Sequence, residues 1–196
     1  MSDPTAHPLR RLIRRFDAYQ RRRLGVYEYC DAADCLLRIG VIRTHRTVAL
    51  GDVSVASGEW VIELHFWNEH FLPMSASGPD LGWALTTQRV FINSLRALAR
   101  QMKDDPALAD VRAVGGVIVL LAPLDHPGGM RLMMRLGFAV RPHHRALGRF
   151  GEFWENFYTW WIMWTYNPGS LAGRRLARLQ RMEIWMTTDD FLLRYG

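Results

Sequence analysis

Four polar side chains follow one another closely in the sequence, at one end of a predicted strand, and are of the types used in acid–base catalysis. They are Glu63, His65, Asn68 and Glu69. Side chains alternate along a strand, so Glu63 and His65 point to the same face with Cα atoms about 7 Å apart. A carboxylate beside an imidazole, with an amide nearby, suits proton transfer. Two other interpretations stay open: a metal site, although no ligand spacing supports it, and a solvated face of the sheet.

A second candidate site precedes the clearest predicted helix, at residues 82–103. Ser77, Gly78 and Gly82 lie at its N-terminal end. Free N–H groups and the positive end of the helix dipole make such a position suitable for a phosphate group. The alternative is a plain loop followed by a helix cap.

The positive charge of the chain is concentrated in its first 25 residues. The net charge is +6, and seven arginines against Asp3 and Asp17 in this segment supply +5 of it. Apolar residues with helical spacing predict an amphipathic helix over residues 8–24: Leu9, Leu12, Ile13, Phe16 and Tyr19. The helix is expected to dock on the domain, or to bind an anionic membrane surface or an acidic partner. Nucleic acid is not expected, since no recognition motif accompanies the arginines.

Several classes of protein are excluded by what the sequence lacks. No apolar run approaches the ~18 residues of a membrane span. No uninterrupted apolar stretch follows the basic N-terminus, so a secretory signal peptide is not expected. We therefore expect a cytoplasmic protein, at most peripheral on the inner membrane. Cys30 and Cys35 have a poor zinc spacing and are expected to be reduced thiols. Phosphate-loop, metalloprotease and nucleophile-elbow motifs are missing.

The order of the predicted elements indicates an α/β fold of the mixed, α+β kind. An antiparallel meander of strands at 35–43, 46–50 and 59–67 is followed by the helix at 82–103, then a strand, a helix and a strand. This order resembles that of the GNAT acyltransferase fold. The resemblance implies acyl-CoA as a cofactor, with its pyrophosphate at Ser77, Gly78 and Gly82 and Glu63 as the general base.

The C-terminal part is predicted to be helical. We expect an aromatic helix at 148–165, a basic helix at 170–182, and a last short helix capped by Thr187. The aromatic helix carries Phe150, Trp154, Phe157, Trp161 and Trp164 at helical spacing, which favours either core or a lipid-interface surface. We treat residues 1–196 as a single domain, with a basic helix at 1–25, an α/β core at 26–142 and C-terminal helices at 143–196.

Residues 58–69 also carry a family resemblance. The segment Gly-Glu-Trp-Val-Ile-Glu-Leu-His-Phe-Trp-Asn-Glu resembles the Gly-Asp-x-Val-hydrophobic-Glu-Leu-His-Phe-x-Asn-Glu motif of the YkoP-like domain. The Arg-rich helix, Leu136-Gly137-Phe138, Pro168-Gly169 and 184–187 are similar to further parts of that domain. Glu59 stands in place of the usual Asp, and Asn167 in place of a His.

This resemblance implies a function in the bacterial cell envelope. The YkoP-like domain occurs alone and as the C-terminal module of some polysaccharide deacetylases. We therefore expect an accessory or ligand-binding module of envelope glycan or lipid metabolism, with an envelope-biosynthesis enzyme as a possible partner. The chain is not expected to be a deacetylase itself, since Asp189-Asp190 has no H-x-x-x-H motif to complete a zinc site.

Overall fold

The computed structural model describes residues 8–120, 128–143, 148–171 and 180–196. These residues form five α-helices: α1 Pro8–Arg23, α2 Leu81–Asp104, α3 Gly128–Arg135, α4 Gly148–Tyr166 and α5 Thr188–Tyr195. They also form seven strands: β1 Leu37–Arg43, β2 Val48–Leu50, β3 Val53–Val55, β4 Trp60–Phe66, β5 Ala113–Leu120, β6 Ala139–Pro142 and β7 Gln180–Thr187.

Five strands make a mixed sheet in the order β1-β4-β5-β7-β6. Strands β4 and β5 are parallel, with α2 as the crossover between them. The other neighbouring pairs are antiparallel. The predicted α+β class with a mixed central sheet is therefore confirmed.

The predicted meander is wrong in its middle strand. Strand β1 pairs directly with β4, from Leu37 opposite Phe66 to Arg43 opposite Trp60. The segment at 48–50 instead pairs with 53–55 in a separate two-stranded hairpin. Gly51 has a positive φ of 65° and lies in the turn of this hairpin directly after Leu50, where it links two very short strands.

The C-terminal segment does more than add helices. The predicted basic helix at 170–182 is wrong where it can be compared, because Gln180 already begins β7 and Pro168–Leu171 is a 3-10 turn; residues 172–179 lie outside the described ranges. Strand β7 lies between β5 and β6 in the main sheet. The prediction of a capped last helix is confirmed, since the Thr187 side chain accepts from the Asp190 amide.

The two faces of the sheet carry cores of different size. On one face, α2 and α5 pack over Ile39, Ile62 and Leu64. On the other face, the β2–β3 hairpin covers a small cluster: Val48, Val55, Val61, Ala113 and Trp185. Trp60 is partly exposed at the start of β4, with the Arg43 guanidinium 4.2 Å from its ring centroid.

Candidate functional site

Glu63 and His65 form a side-chain pair on β4 that solvent can reach. The His65 Nε2 atom lies 3.2 Å from Glu63 Oε2, and each side chain is 31% exposed. In the sheet, Glu63 is flanked by Gly40 on β1 and Gly115 on β5. Neither neighbour has a side chain, and the Trp185 ring covers Gly115 on the β5 side.

The other two predicted acid–base residues lie elsewhere. Strand β4 is followed by a 3-10 turn at Asn68–His70. Asn68 lines a cleft described below. Glu69 accepts from Arg21 on α1 and from Arg38 on β1, each at 3.1 Å. The structure therefore brings Glu63 and His65 together, but does not gather all four residues into one site.

Arg38 is a buried cation at the centre of an ion-pair network. Its Nη2 atom donates to Glu28 at 2.8 Å, its Nη1 atom donates to Glu69, and its guanidinium lies 4.4 Å from the Trp67 ring centroid. The side chain is only 4% exposed. Such a fork of charged hydrogen bonds fixes the segment around 28 and the 3-10 turn on the sheet.

The predicted phosphate position lies at a helix end that the chain itself caps. The Asp80 side chain accepts from the Trp83 amide at 2.7 Å. The Ser75 hydroxyl contacts both the Ser77 hydroxyl and the Gly78 carbonyl. At Gly82 an added Cβ would lie 3.5 Å from the Asp80 carboxylate. The role of Ser77, Gly78 and Gly82 in cofactor binding stays a prediction.

An apolar recess lies where β4 and β5 separate. Their parallel pairing covers three residue pairs and ends at Glu63 opposite Gly115, although β4 continues to Phe66 and β5 to Leu120. Beyond that point lies a cleft of about 350 Å³ between α2, α3 and α4. Its apolar wall includes Phe66, Phe91, Val117, Leu132, Met133 and Ile162.

A few polar groups interrupt this apolar wall. Thr87 Oγ1 is buried and has no hydrogen-bond partner in the described part of the chain. Tyr166 lines the cleft, and its hydroxyl lies 3.5 Å from Asp17 on α1. Burial is the main cause that raises the pKa of Tyr166 above its ordinary value, and the negative charges of Glu69 and Asp17 raise it further. Asn167 holds the segment at 72–74 against the cleft through Leu72 and Met74.

Sequence reasoning missed this cleft. The strand predicted after the helix at 82–103 corresponds to β5, Ala113–Leu120. The missed signal is Gly115-Gly116 inside that strand, since glycine in a strand marks a bulge or a close approach. Gly116 has a φ of 155°, and a Cβ there would lie 2.8 Å from the Leu64 carbonyl oxygen. The two strands touch at this glycine and then diverge.

The aromatic helix α4 is divided between the interior and the surface. Its inner face lines the cleft with Ile162, Met163 and Tyr166. Phe153 and Trp154 are exposed, and rings along this side contact one another, with Phe157 and Trp161 centroids 4.6 Å apart. Neither of the two interpretations made from the sequence therefore covers the whole helix. The Phe150 side chain lies outside what the structure describes.

Among the described residues, no group of three or more His, Cys, Asp or Glu side chains is placed to hold a metal ion. None of the described helices combines the length and apolarity needed to cross a bilayer. Cys30 and Cys35 are free thiols, with Cys35 buried.

Comparison with known proteins gives one match. The family model described as the YkoP domain matches residues 28–195, so the chain belongs to the YkoP domain family. The match begins after α1, whereas the resemblance described from the sequence also included this Arg-rich helix. No curated protein and no solved structure matches this chain.

Proposed function

We propose that this member of the YkoP domain family is a ligand-binding module of bacterial envelope glycan or lipid metabolism, and that the cleft between β4 and β5 takes the acyl chain of its ligand. The observation that carries the proposal is the cleft itself, an apolar recess of about 350 Å³ at the ends of two diverging parallel strands. In α/β sheets, ligands bind at the carboxyl ends of such strands.

The chemistry of the wall favours an alkyl chain with a polar head. Aliphatic and aromatic side chains form most of the surface, and burying apolar ligand surface there yields roughly 25 cal/mol per Å². The volume lies in the lower part of the range of small-molecule pockets, about 300–1,000 Å³. Thr87 and Asn68 supply hydroxyl and amide groups for a carbonyl or ester.

The envelope context comes from the family. The YkoP-like domain also occurs as a module of polysaccharide deacetylases, which act on glycans of the cell envelope. Acylated sugars and lipids of the envelope carry the kind of alkyl chain that the cleft fits. Glu63 and His65 do not line the chain-binding recess, and their side chains stay partly exposed to solvent.

Thermal unfolding with acyl compounds tests this proposal, because a ligand that binds only the native state raises the melting temperature. The probes are dodecanoate, dodecanoyl-CoA and free CoA. Both acyl compounds are expected to raise the melting temperature, and free CoA is not. Absence of a shift with both acyl compounds would contradict the proposal.

Two tryptophan variants, one in the cleft and one beside it, test whether the ligand occupies the cleft. Ala84 on α2 lines the cleft and is exposed, so Ala84→Trp should occupy the recess without disturbing the core. The neighbouring Leu85 is exposed and does not line the cleft. We expect Ala84→Trp to abolish the dodecanoate shift and Leu85→Trp to retain it. Equal shifts in both variants would place the ligand elsewhere.

A second candidate function is acyl transfer from acyl-CoA, with Glu63 as general base. The observation that favours it is the position of Glu63 at the last residue pair before β4 and β5 separate. A thioester with its acyl chain in the cleft would have its carbonyl near this point. An attacking amine would lose its proton to the Glu63 carboxylate as the thiolate of CoA leaves, and His65 would orient that carboxylate.

Release of CoA thiol in the presence of amine acceptors distinguishes the two functions. An enzyme would release thiol from dodecanoyl-CoA, and Glu63→Gln would slow release by about 10²-fold or more while keeping the thermal shift. Binding without thiol release would support a ligand-binding module and contradict the transferase function.

A further inference from the structure

Helix α1 is attached to the domain by a mostly polar face. Its buried residues are Ile13 and Asp17. The Asp17 carboxylate accepts from the Tyr158 hydroxyl at 2.8 Å. The Arg14 guanidinium lies 5.5 Å from the centroid of the Tyr166 ring. The inner side of the helix therefore uses one acid and several cations to hold α4, rather than an apolar stripe.

The apolar side of α1 points outward as a result. Leu12, Phe16 and Tyr19 recur every three or four residues on one side of the helix, and all three are exposed. A helix that only covered the domain would turn this row inward. Here the row that the sequence predicted as the docking face is the one presented to the surroundings.

Aromatic side chains of α4 extend this row. Phe16 packs edge-on against Tyr158, with ring centroids 5.9 Å apart. Trp154 and Trp161 lie one turn before and about one turn after Tyr158 on α4, and both are exposed. We name Leu12, Phe16, Tyr19, Trp154 and Trp161 the α1–α4 surface. Their exposed fractions run from 36% for Trp161 to 63% for Leu12.

The exposed charges that α1 places beside this surface are positive. Arg11, Arg15 and Arg22 are exposed on the side of α1 next to the apolar row, whereas Asp17, the acid of this helix, is turned inward. On α4, Glu155 pairs with Arg181 at 3.2 Å. An apolar row bordered by arginines is complementary to an anionic lipid interface, where tryptophan and tyrosine rings also prefer to lie.

We propose that the α1–α4 surface docks this protein on membranes that carry anionic phospholipid. A second copy of the chain fits less well, because a symmetric contact would bring the same arginines of two helices face to face. Helix α1, which supplies Leu12, Phe16 and Tyr19, lies outside the residues that match the family model, whereas Trp154 and Trp161 on α4 lie within them.

Vesicle flotation at physiological salt tests the proposal. The probes are vesicles of phosphatidylcholine alone and of phosphatidylcholine with an equal part of phosphatidylglycerol. We expect binding to the anionic vesicles and at least tenfold weaker binding to the neutral ones. Arg11→Ala/Arg15→Ala removes two charges and is expected to weaken anionic binding about thirtyfold. The matched control is Arg89→Ala/Arg100→Ala, on exposed positions of α2, with less than a twofold effect.

The apolar contribution has its own pair of variants. Leu12→Ser should weaken vesicle binding about tenfold, whereas Leu193→Ser on the exposed side of α5 should leave it unchanged. No binding to anionic vesicles would overturn the proposal, as would equal losses in the variants and their controls. A concentration-dependent dimer that Leu12→Ser dissolves would also overturn it, by assigning the surface to a second copy.

Discussion

The hydroxyl of Tyr158 on α4 donates a 2.8 Å hydrogen bond to the Asp17 carboxylate on α1. Arg21 lies 3.4 Å from the same carboxylate and reaches on to Glu69 after β4. The buried Asp17 carboxylate thus links α1 to α4 directly, and to the 3-10 turn after β4 through Arg21. An acid on the inner side of a helix is stable only when such partners satisfy it.

We expect Tyr158→Phe to destabilise the protein by about 1–3 kcal/mol, since the buried Asp17 loses its shortest hydrogen bond. Urea unfolding measures the change. Tyr19→Phe is the control, because Tyr19 lies on the exposed side of α1. Its free energy of unfolding should stay within about 0.5 kcal/mol of the parent value. Equal losses in the two variants would show that the Asp17 contact contributes nothing.

Stability is expected to fall as the pH rises above about 10. Burial, and then the charge of Asp17, raises the pKa of Tyr158 in the folded state, and burial does the same for Tyr29. The unfolded chain therefore loses these protons first, and its free energy drops relative to the folded state. The contribution of these tyrosines to the free energy of unfolding is complete below their pKa in the unfolded chain and decreases as the pH rises above it. Melting temperatures from pH 8 to 11 should fall less steeply in Tyr158→Phe than in the parent; parallel curves would contradict this.

Gly115→Ala is expected to cost about 3 kcal/mol or prevent folding. An added Cβ would lie 2.3 Å from the Ile184 carbonyl oxygen and 2.3 Å from the Trp185 ring, so both backbone and indole would have to shift. Gly40→Ala, in the same row of the sheet on the other side of Glu63, meets its nearest atom at 3.6 Å. This control should change stability by no more than ~1 kcal/mol. Similar thermal unfolding of the two variants would disprove the close approach.

Arg38→Lys is expected to destabilise by about 1–3 kcal/mol although it keeps the charge, since an ammonium cannot reach both glutamates with the same fork. The exposed Arg43 on the same strand also lies over a tryptophan, at 4.2 Å from the Trp60 centroid. Arg43→Lys should therefore change the unfolding free energy by less than about 1 kcal/mol. A larger loss at Arg43 than at Arg38 would contradict the network.

The sequence was sufficient where a local pattern determines the structure. Alternation along β4 correctly separates Ile62 and Leu64 from Glu63 and His65, and the capping residue Thr187 marks the start of α5. In both cases the information lies within a few residues. Pairing between distant segments is not encoded in this way, so the partner of 48–50 was assigned wrongly.

The cleft and the orientation of α1 needed tertiary information. The periodicity of α1 shows that Leu12 and Phe16 share one side, but not which side meets the domain. That choice depends on Asp17 finding Tyr158, which is 141 residues away in the chain. Likewise, the divergence of β4 and β5 depends on Gly116 approaching Leu64. The contact of Asp17 with Tyr158 has no signal within α1, and Gly115-Gly116 marks a close approach without identifying Leu64 as the partner.

The position of β7 between β5 and β6 bears on how the protein is made. During synthesis on the ribosome, β5 and β6 emerge well before the strand that joins them. Until β7 arrives, β5 exposes one edge and β6 lacks the neighbour with which it pairs in the finished sheet. Exposed strand edges favour association with other chains. Completion of the sheet therefore waits for the C-terminal segment, which supplies the strand that covers both edges.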